Sequence, residues 1–201
     1  MTDRVAFVGD IHGNLDALLG ISATLDSEGI GARVFLGDYI NRGPASREVV
    51  EVLMSMAADP DVVVLRGNHE DVLLSALESG DVASLLRVGG ALTIRSYVGG
   101  NVAPDVATAL REAVPQSHVD FMREMPTVAA GHDWIASHER IRASGKYAIS
   151  AHVDVGVVPV IRSQGARIDT GCDGSGGRLT AFIWPSRTYF QVGADGVAII
   201  G

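Results

Sequence analysis

The chain has 201 residues, the size of one domain, and 47% of them are hydrophobic against 20% charged, a balance that excludes disorder and low-complexity sequence. With 16 Lys and Arg against 24 Asp and Glu, the formal charge is −8, which argues against nucleic acid and anionic membranes as partners. A single cysteine, Cys172, excludes an intramolecular disulfide, no apolar run reaches the roughly 18 residues of a membrane span, and the N-terminus shows no basic-then-apolar leader, so a cytoplasmic location is expected.

The first 70 residues repeat one rhythm three times: a Val-rich apolar run, a polar turn, then a segment of helical period. Val5–Val8 ends at Gly9-Asp10, Arg33–Leu36 at Gly37-Asp38, and Val62–Leu65 at Arg66-Gly67-Asn68-His69. Amphipathic helices are expected over Leu15–Leu25 and Ser46–Met56. Residues 71 to 125 read as irregular helix: Asp71–Glu78, Val82–Val88, and Asp105–Met125 broken at Pro115. From Val128 onward the pattern changes to short strands, at Trp134–Ser137, Tyr147–Ala151, Val157–Ile161, Arg178–Ile183, Thr188–Val192 and Val197–Ile200. There is no linker, repeat or biased tract, so residues 1–201 read as one domain.

In a parallel α/β sheet the C-terminal ends of the strands share one edge, where ligands bind, so the three polar turns are expected to meet there. Asp10 and His12 are two apart and in extended chain project to one side. Carboxylate and amide oxygens mixed with imidazole suit Mn, Fe or Zn better than Ca.

The blocks Gly9-Asp-Ile-His-Gly13, Gly37-Asp-Tyr-Ile-Asn-Arg-Gly43 and Arg66-Gly-Asn-His-Glu70 resemble the three signatures of calcineurin-like metallophosphoesterases, in the branch of bacterial Ser/Thr protein phosphatases. Ser137-His138, Ala151-His152 and Asp169-Thr-Gly-Cys172 with Gly176-Gly-Arg-Leu-Thr180 resemble the later blocks, in family order. The resemblance implies an α/β fold, the four-layer α/β/β/α sandwich of the metallophosphoesterase type, and a centre of two divalent ions, with Mn expected ahead of Fe or Zn. It implies that Asp10, His12 and a bridging Asp38 hold one ion, and that Asp38, Asn68, His138 and His152 hold the other. Hydroxide activated between the ions would then attack a phosphoryl group, Arg42 would fork two phosphate oxygens, and His69 would protonate the leaving oxygen.

Three positions depart from that pattern. Asn41 stands where the protein-phosphatase branch carries an Asp that charges and orients the catalytic His, which weakens the imidazolium form of His69. Only 13 residues separate His138 from His152, so a segment that normally brings a second phosphate-binding Arg is missing, and Arg140 and Arg142 are the candidates to replace it. Ala151 stands where Gly usually precedes the last His.

The expected activity is hydrolysis of phosphomonoesters, with phosphoserine or phosphothreonine in proteins as the first substrate class and a phosphorylated protein or small phosphoester as partner. The alternatives are hydrolysis of dinucleoside polyphosphates or phosphodiesters, favoured by Asn41, and a low-activity metal- or phosphate-binding relative. Glu70 at the end of the third block resembles the protein-phosphatase branch. Read without the resemblance, His132 is structural or exposed, His118 lies near the surface, Cys172 is a small buried hydrophobe, and Asp173-Gly-Ser-Gly-Gly177 is a flexible hairpin rather than a phosphate cradle.

Overall fold

In the computed structural model, which describes residues 4–100, 104–141 and 145–199, two five-stranded sheets lie face to face. The first takes β1 (Val5–Val8), β2 (Arg33–Phe35), β3 (Val62–Val64), β9 (Arg178–Trp184) and β10 (Thr188–Gly193) in the order β10-β9-β1-β2-β3. The second takes β4 (Val128–Ala130), β5 (Trp134–Ser137), β6 (Tyr147–Ser150), β7 (Val160–Arg162) and β8 (Gly165–Arg167) in the order β4-β5-β6-β8-β7. The three strands β1, β2 and β3 run parallel, as do β5, β6 and β8, so each sheet delivers several strand C-termini to one edge.

The apolar runs are uninterrupted because these strands are buried on both faces. Ala6 and Val8 of β1 face the helical side, as do Phe35, Val64, Leu179, Ala181 and Ile183. Phe7, Val34, Leu36, Leu65 and Phe182 face the second sheet and meet Ala136, Tyr147, Ile149 and Ala166. Phe7 packs edge-on to Trp134 with ring centroids 4.9 Å apart, and Phe182 stacks on Tyr147 at 5.8 Å. Each fully buried side chain of this size stabilises the sandwich by about 1.5–3 kcal/mol, so the inter-sheet layer fixes how the two edges align.

The helices are α1 (Leu15–Ser27), α2 (Ser46–Met56), α3 (Asn68–Ser79), α4 (Ala83–Arg87), α5 (Ala91–Val98), α6 (Val106–Ala113) and α7 (Gln116–Glu124). Asn14 caps α1 by accepting from Ala17 N at 3.1 Å. The buried side chains of all seven join the core on the outer side of the first sheet. On the outer face of the second sheet, Arg140, Arg162 and Arg167 border an open cavity of about 700 Å³. The expected α/β sandwich of two stacked sheets is observed, and among the described residues its helices lie on the first sheet, so that the second outer helical layer of the four expected is not seen there. No helix among the described residues is long and apolar enough to cross a membrane.

The differences from expectation lie at edges. The strand expected at Val157–Ile161 begins only at Val160 and pairs with β8 through a short turn, and β4 carries no expected strand. Of Val197–Ile200, a single bridge between Ala198 and Val192 is seen, with Ile200 outside the described residues. The irregular helix expected over residues 71 to 125 includes α5 at Ala91–Val98, between the segments singled out by their period. His118 is buried within α7, where its Nδ1 lies 3.0 Å from the Tyr97 hydroxyl, rather than near the surface. His132 is exposed and Cys172 is buried, as expected.

Candidate metal centre

The first two turns are joined by main-chain hydrogen bonds alone, and one buried carboxylate ties in the third. Ile11 N and His12 N both donate to Asp38 O, at 3.1 and 2.9 Å, and Gly13 N donates to Tyr39 O at 2.7 Å. Glu70, fully buried at the start of α3, accepts from Asp38 N at 3.0 Å, Tyr39 N at 2.9 Å and Gly67 N at 3.0 Å. One carboxylate therefore ties the second turn to the third. Gly67 is needed for the approach, because a Cβ there would sit 2.2 Å from Asp38 Oδ1.

The first two of these turns and the turn after β6 in the second sheet hold unusual backbone. Among the described residues, six non-glycine residues have positive φ, and five of them are His12, Asp38, Asn41, Arg42 and His152. Left-handed backbone costs a non-glycine residue on the order of 1 kcal/mol or more and tends to collect at functional sites.

The expected ligands converge. His12 Nδ1 lies 3.0 Å from Ile40 O and His138 Nδ1 lies 3.0 Å from Leu36 O; a ring nitrogen facing a carbonyl must carry the proton, so in the neutral form of either ring Nε2 is the nitrogen with the free lone pair. His12 Nε2 is 3.8 Å from Asp10 Oδ2. His138 Nε2 is 2.9 Å from Asn68 Oδ1, 3.0 Å from His152 Nδ1 and 3.3 Å from Asp38 Oδ2. His152 N donates to Asp10 Oδ1 at 3.3 Å. Two groups have all their ligand atoms within 4.8 Å of one another, His12 with Asp38 and His69, and Asp38 with His138 and His152. Asp38 belongs to both, the place a bridging carboxylate would take.

The electrostatics fit cations. Burial, then the Asp38 and Asp169 carboxylates, push Asp10 well above the usual carboxylate range. Burial also acts to raise Asp38, but its hydrogen bond to His138 and the charges of His138, His69 and His12 hold it at about 2. Burial lowers His138, and Asp38, then Asp10 and Glu70, outweigh it and lift the imidazole to about 9. Burial and the Asp38 charge push Glu70 to about 7. Several carboxylates in one buried pocket lean on a single histidine for positive charge, and divalent cations would replace that proton.

At Asn41 the expected contact with His69 is present, and the structure adds its direction. Its Nδ2 lies 2.9 Å from His69 Nδ1, and an amide NH₂ can only donate, so His69 Nδ1 accepts and the ring proton sits on Nε2. The amide is fixed from the other side by Thr93 of α5, whose hydroxyl accepts from Asn41 N at 2.8 Å and donates to Asn41 Oδ1 at 2.8 Å. Burial, partly opposed by Asp38, brings His69 down to about 4. Thr93 carries no motif and becomes visible only once α5 packs on the second turn.

Arg42 is half exposed and its Nη1 lies 3.1 Å from Asp173 Oδ2. Arg140 faces the cavity on the outer side of the second sheet, and Arg142 lies outside the described residues.

Known proteins share this arrangement in part. The serine/threonine-protein phosphatase rdgC of Drosophila melanogaster is 39% identical over 82 residues, 38% of this chain and 12% of that protein. The symmetrical bis(5'-nucleosyl)-tetraphosphatase of Yersinia enterocolitica is 39% identical over 69 residues, 34% of this chain and 23% of that protein. The chain thus covers less than a quarter of the length of either relative. Among solved structures, a metallophosphoesterase from Sphaerobacter thermophilus superposes with a TM-score of 0.59 at 16% identity, over 94% of this chain and 87% of that one. A cold-active protein tyrosine phosphatase gives 0.65 at 17% identity, over 98% and 78%, which shows a shared fold. A model of the calcineurin-like phosphoesterase family matches residues 3–156, most of the chain, and this protein therefore belongs to that family.

Proposed function

We propose that the chain is a metal-dependent hydrolase of phosphoric esters and anhydrides that works best on leaving groups needing little protonation, with dinucleoside polyphosphates or similar anhydrides ahead of phosphoserine and phosphothreonine. The family is one of dinuclear metal-dependent phosphoesterases. In this reading Asp10, His12 and Asp38 hold one ion and Asp38, Asn68, His138 and His152 the other, with Mn²⁺ the metal to try first. When bound, such ions supply charge that makes water nucleophilic at neutral pH and neutralises phosphoryl oxygens.

The observation that carries the order of substrates is the Asn41 amide donating to His69 Nδ1. An Asp there would accept from Nδ1–H and favour imidazolium, whereas the amide holds the neutral ring with its proton on Nε2. Neutral imidazole can hydrogen-bond a departing oxygen through Nε2–H, but it gives that proton up far less readily than imidazolium does. An alkoxide leaving group from serine or threonine needs the proton, and a phosphate leaving group, already a stable anion, does not. Arg42 contributes a planar fork for the non-bridging oxygens. Glu70, which in sequence favoured the protein-phosphatase branch, is fully occupied with backbone N–H groups and does not bear on the leaving group.

The test compares kcat/KM of the Mn²⁺-loaded protein on a dinucleoside tetraphosphate and on a phosphoserine peptide. The expected preference for the anhydride is tenfold or more, and Asn41→Asp should narrow it by raising the phosphopeptide rate about tenfold, roughly 1.4 kcal/mol of barrier. Equal rates on both substrates, or an unchanged ratio in the variant, would overturn the order. No turnover of either would favour a metal- or phosphate-binding role.

A further inference from the structure

Arg42 is not waiting open for phosphate. Its Nη1 donates to Asp173 Oδ2 at 3.1 Å, across 131 positions of chain, with the two side chains 44% and 21% exposed. The two partners are brought together from opposite sides, and neither is loosely held. The backbone of Arg42 has φ of +62° and its N–H donates to Gly89 O at 3.0 Å. A Cβ on Gly89 would sit 2.9 Å from Arg42 Cγ, so the turn before α5 lies flat along the arginine stem. Asp173 stands in the 171–177 turn, closed at its base by the bridge of Thr170 with Arg178. Within that turn Gly174 N donates to Gly171 O at 2.8 Å and Gly177 N to Gly174 O at 3.0 Å. The glycine-rich segment is a hairpin turn closed by its own hydrogen bonds, and it presents one carboxylate to Arg42.

A carboxylate and a phosphate use the same two-oxygen geometry on a guanidinium. We propose that Asp173 is a specificity-determining residue: its carboxylate occupies the phosphate-binding fork of Arg42 as a built-in competitor, weakens binding of terminal phosphate groups, and helps expel inorganic phosphate after the reaction. The inference rests on Arg42 being the phosphate-binding residue of the proposed function. Charge number makes it specific. One negative charge beside the site repels a dianionic phosphomonoester about twice as strongly, in free energy, as a monoanionic phosphodiester, so Asp173 narrows the advantage that a monoester would otherwise have over a diester.

The experiment uses the Mn²⁺-loaded full chain and Asp173→Asn, which keeps size and polarity at an exposed turn. Binding of inorganic phosphate is measured by calorimetry, and KM is measured for an aryl phosphomonoester and an aryl phosphodiester at low and high salt. For a partly exposed pair, the expected change is roughly a two- to fivefold drop in phosphate Kd and monoester KM. The expected drop in diester KM is about the square root of that, and all three effects should shrink as salt rises. In an Arg42→Ala background the competition for the guanidinium is gone, so the effect should fall to the through-space repulsion alone, which high salt screens out. A weaker phosphate affinity or a higher KM in Asp173→Asn would overturn the inference, since it would make the carboxylate a support that orients Arg42. Unchanged constants would overturn it as well. If Arg42→Ala alone leaves both phosphate Kd and KM as they were, it is the assignment of Arg42 that fails, a result separate from any outcome with Asp173.

Discussion

The two sheets bring their residues to the same edge by different means. On the first sheet the turns after β1, β2 and β3 are cross-linked through backbone groups: Asp38 O accepts two N–H bonds and Glu70 accepts three. His69 N also donates to Asp38 Oδ1 at 3.0 Å. The second sheet presents His138 and His152 on turns whose links to the first are mostly side-chain contacts, to Asn68, to Asp38 and to Asp10. Backbone linkage fixes the first half of the site before any ligand arrives. The second half depends on charge, and therefore on what occupies the centre.

Breaking the backbone linkage should have the largest effect on stability. Glu70→Gln places an NH₂ where at least one backbone N–H now finds an oxygen, leaving a buried donor facing a donor. The expected loss is about 2–4 kcal/mol of unfolding free energy by urea titration of metal-free protein, with Glu70→Asp, which is too short to reach all three groups, losing a comparable amount. A loss below about 1 kcal/mol would show that the turns hold together without this carboxylate.

Changing the charge sharpens the comparison from the other side. His138 is lifted to about 9 by Asp38, Asp10 and Glu70, above the ordinary 6.5. A raised imidazole adds stability that is fully present below pH 6.5 and lost as pH rises through about 9. Metal-free protein should therefore lose on the order of 3 kcal/mol between pH 6.5 and 9.5 by that path, and His138→Gln should flatten the slope. Loading metal at pH 7.5 should release protons, read by calorimetry in two buffers of different ionisation enthalpy, because His138 cannot ligate through Nε2 while it is charged. No proton release would mean that His138 is neutral before metal binds.

The same contrast explains what could be read in advance. β1, β2 and β3 were legible because strands buried on both faces are unbroken apolar runs, and their turns carry residues whose order alone is informative. β4 and β8 are no shorter than β2 and β3, but Val-Ala-Ala and Gly-Ala-Arg make no apolar run that stands out from the turns around them. His138 and His152 were placed through their resemblance to a family pattern, since a lone histidine in an apolar strand has several uses. The hydrogen-bond polarity between Asn41 and His69 was beyond reach, because it depends on Thr93, some 50 positions away. Asp173 read as one polar residue in a glycine-rich turn, and only the folded chain sets it against Arg42.

The smallest stability effect is expected at His152, and it separates the two halves most cleanly. His152 is exposed and has φ of +67°, so in the metal-free protein it carries backbone strain with little burial in return. Glycine adopts that backbone without the Cβ clash. His152→Gly should therefore leave metal-free stability unchanged or raise it by up to about 1 kcal/mol, while the number of bound Mn²⁺ ions measured by elemental analysis falls from two to one. At His12 the same exchange should not be neutral: that side chain is buried and its Nδ1–H is paired with Ile40 O, so His12→Gly should destabilise metal-free protein by about 2 kcal/mol or more. Equal losses at the two positions would mean that the second-sheet turn is as firmly built as the first, and that the division between a backbone-fixed half and a charge-dependent half is wrong.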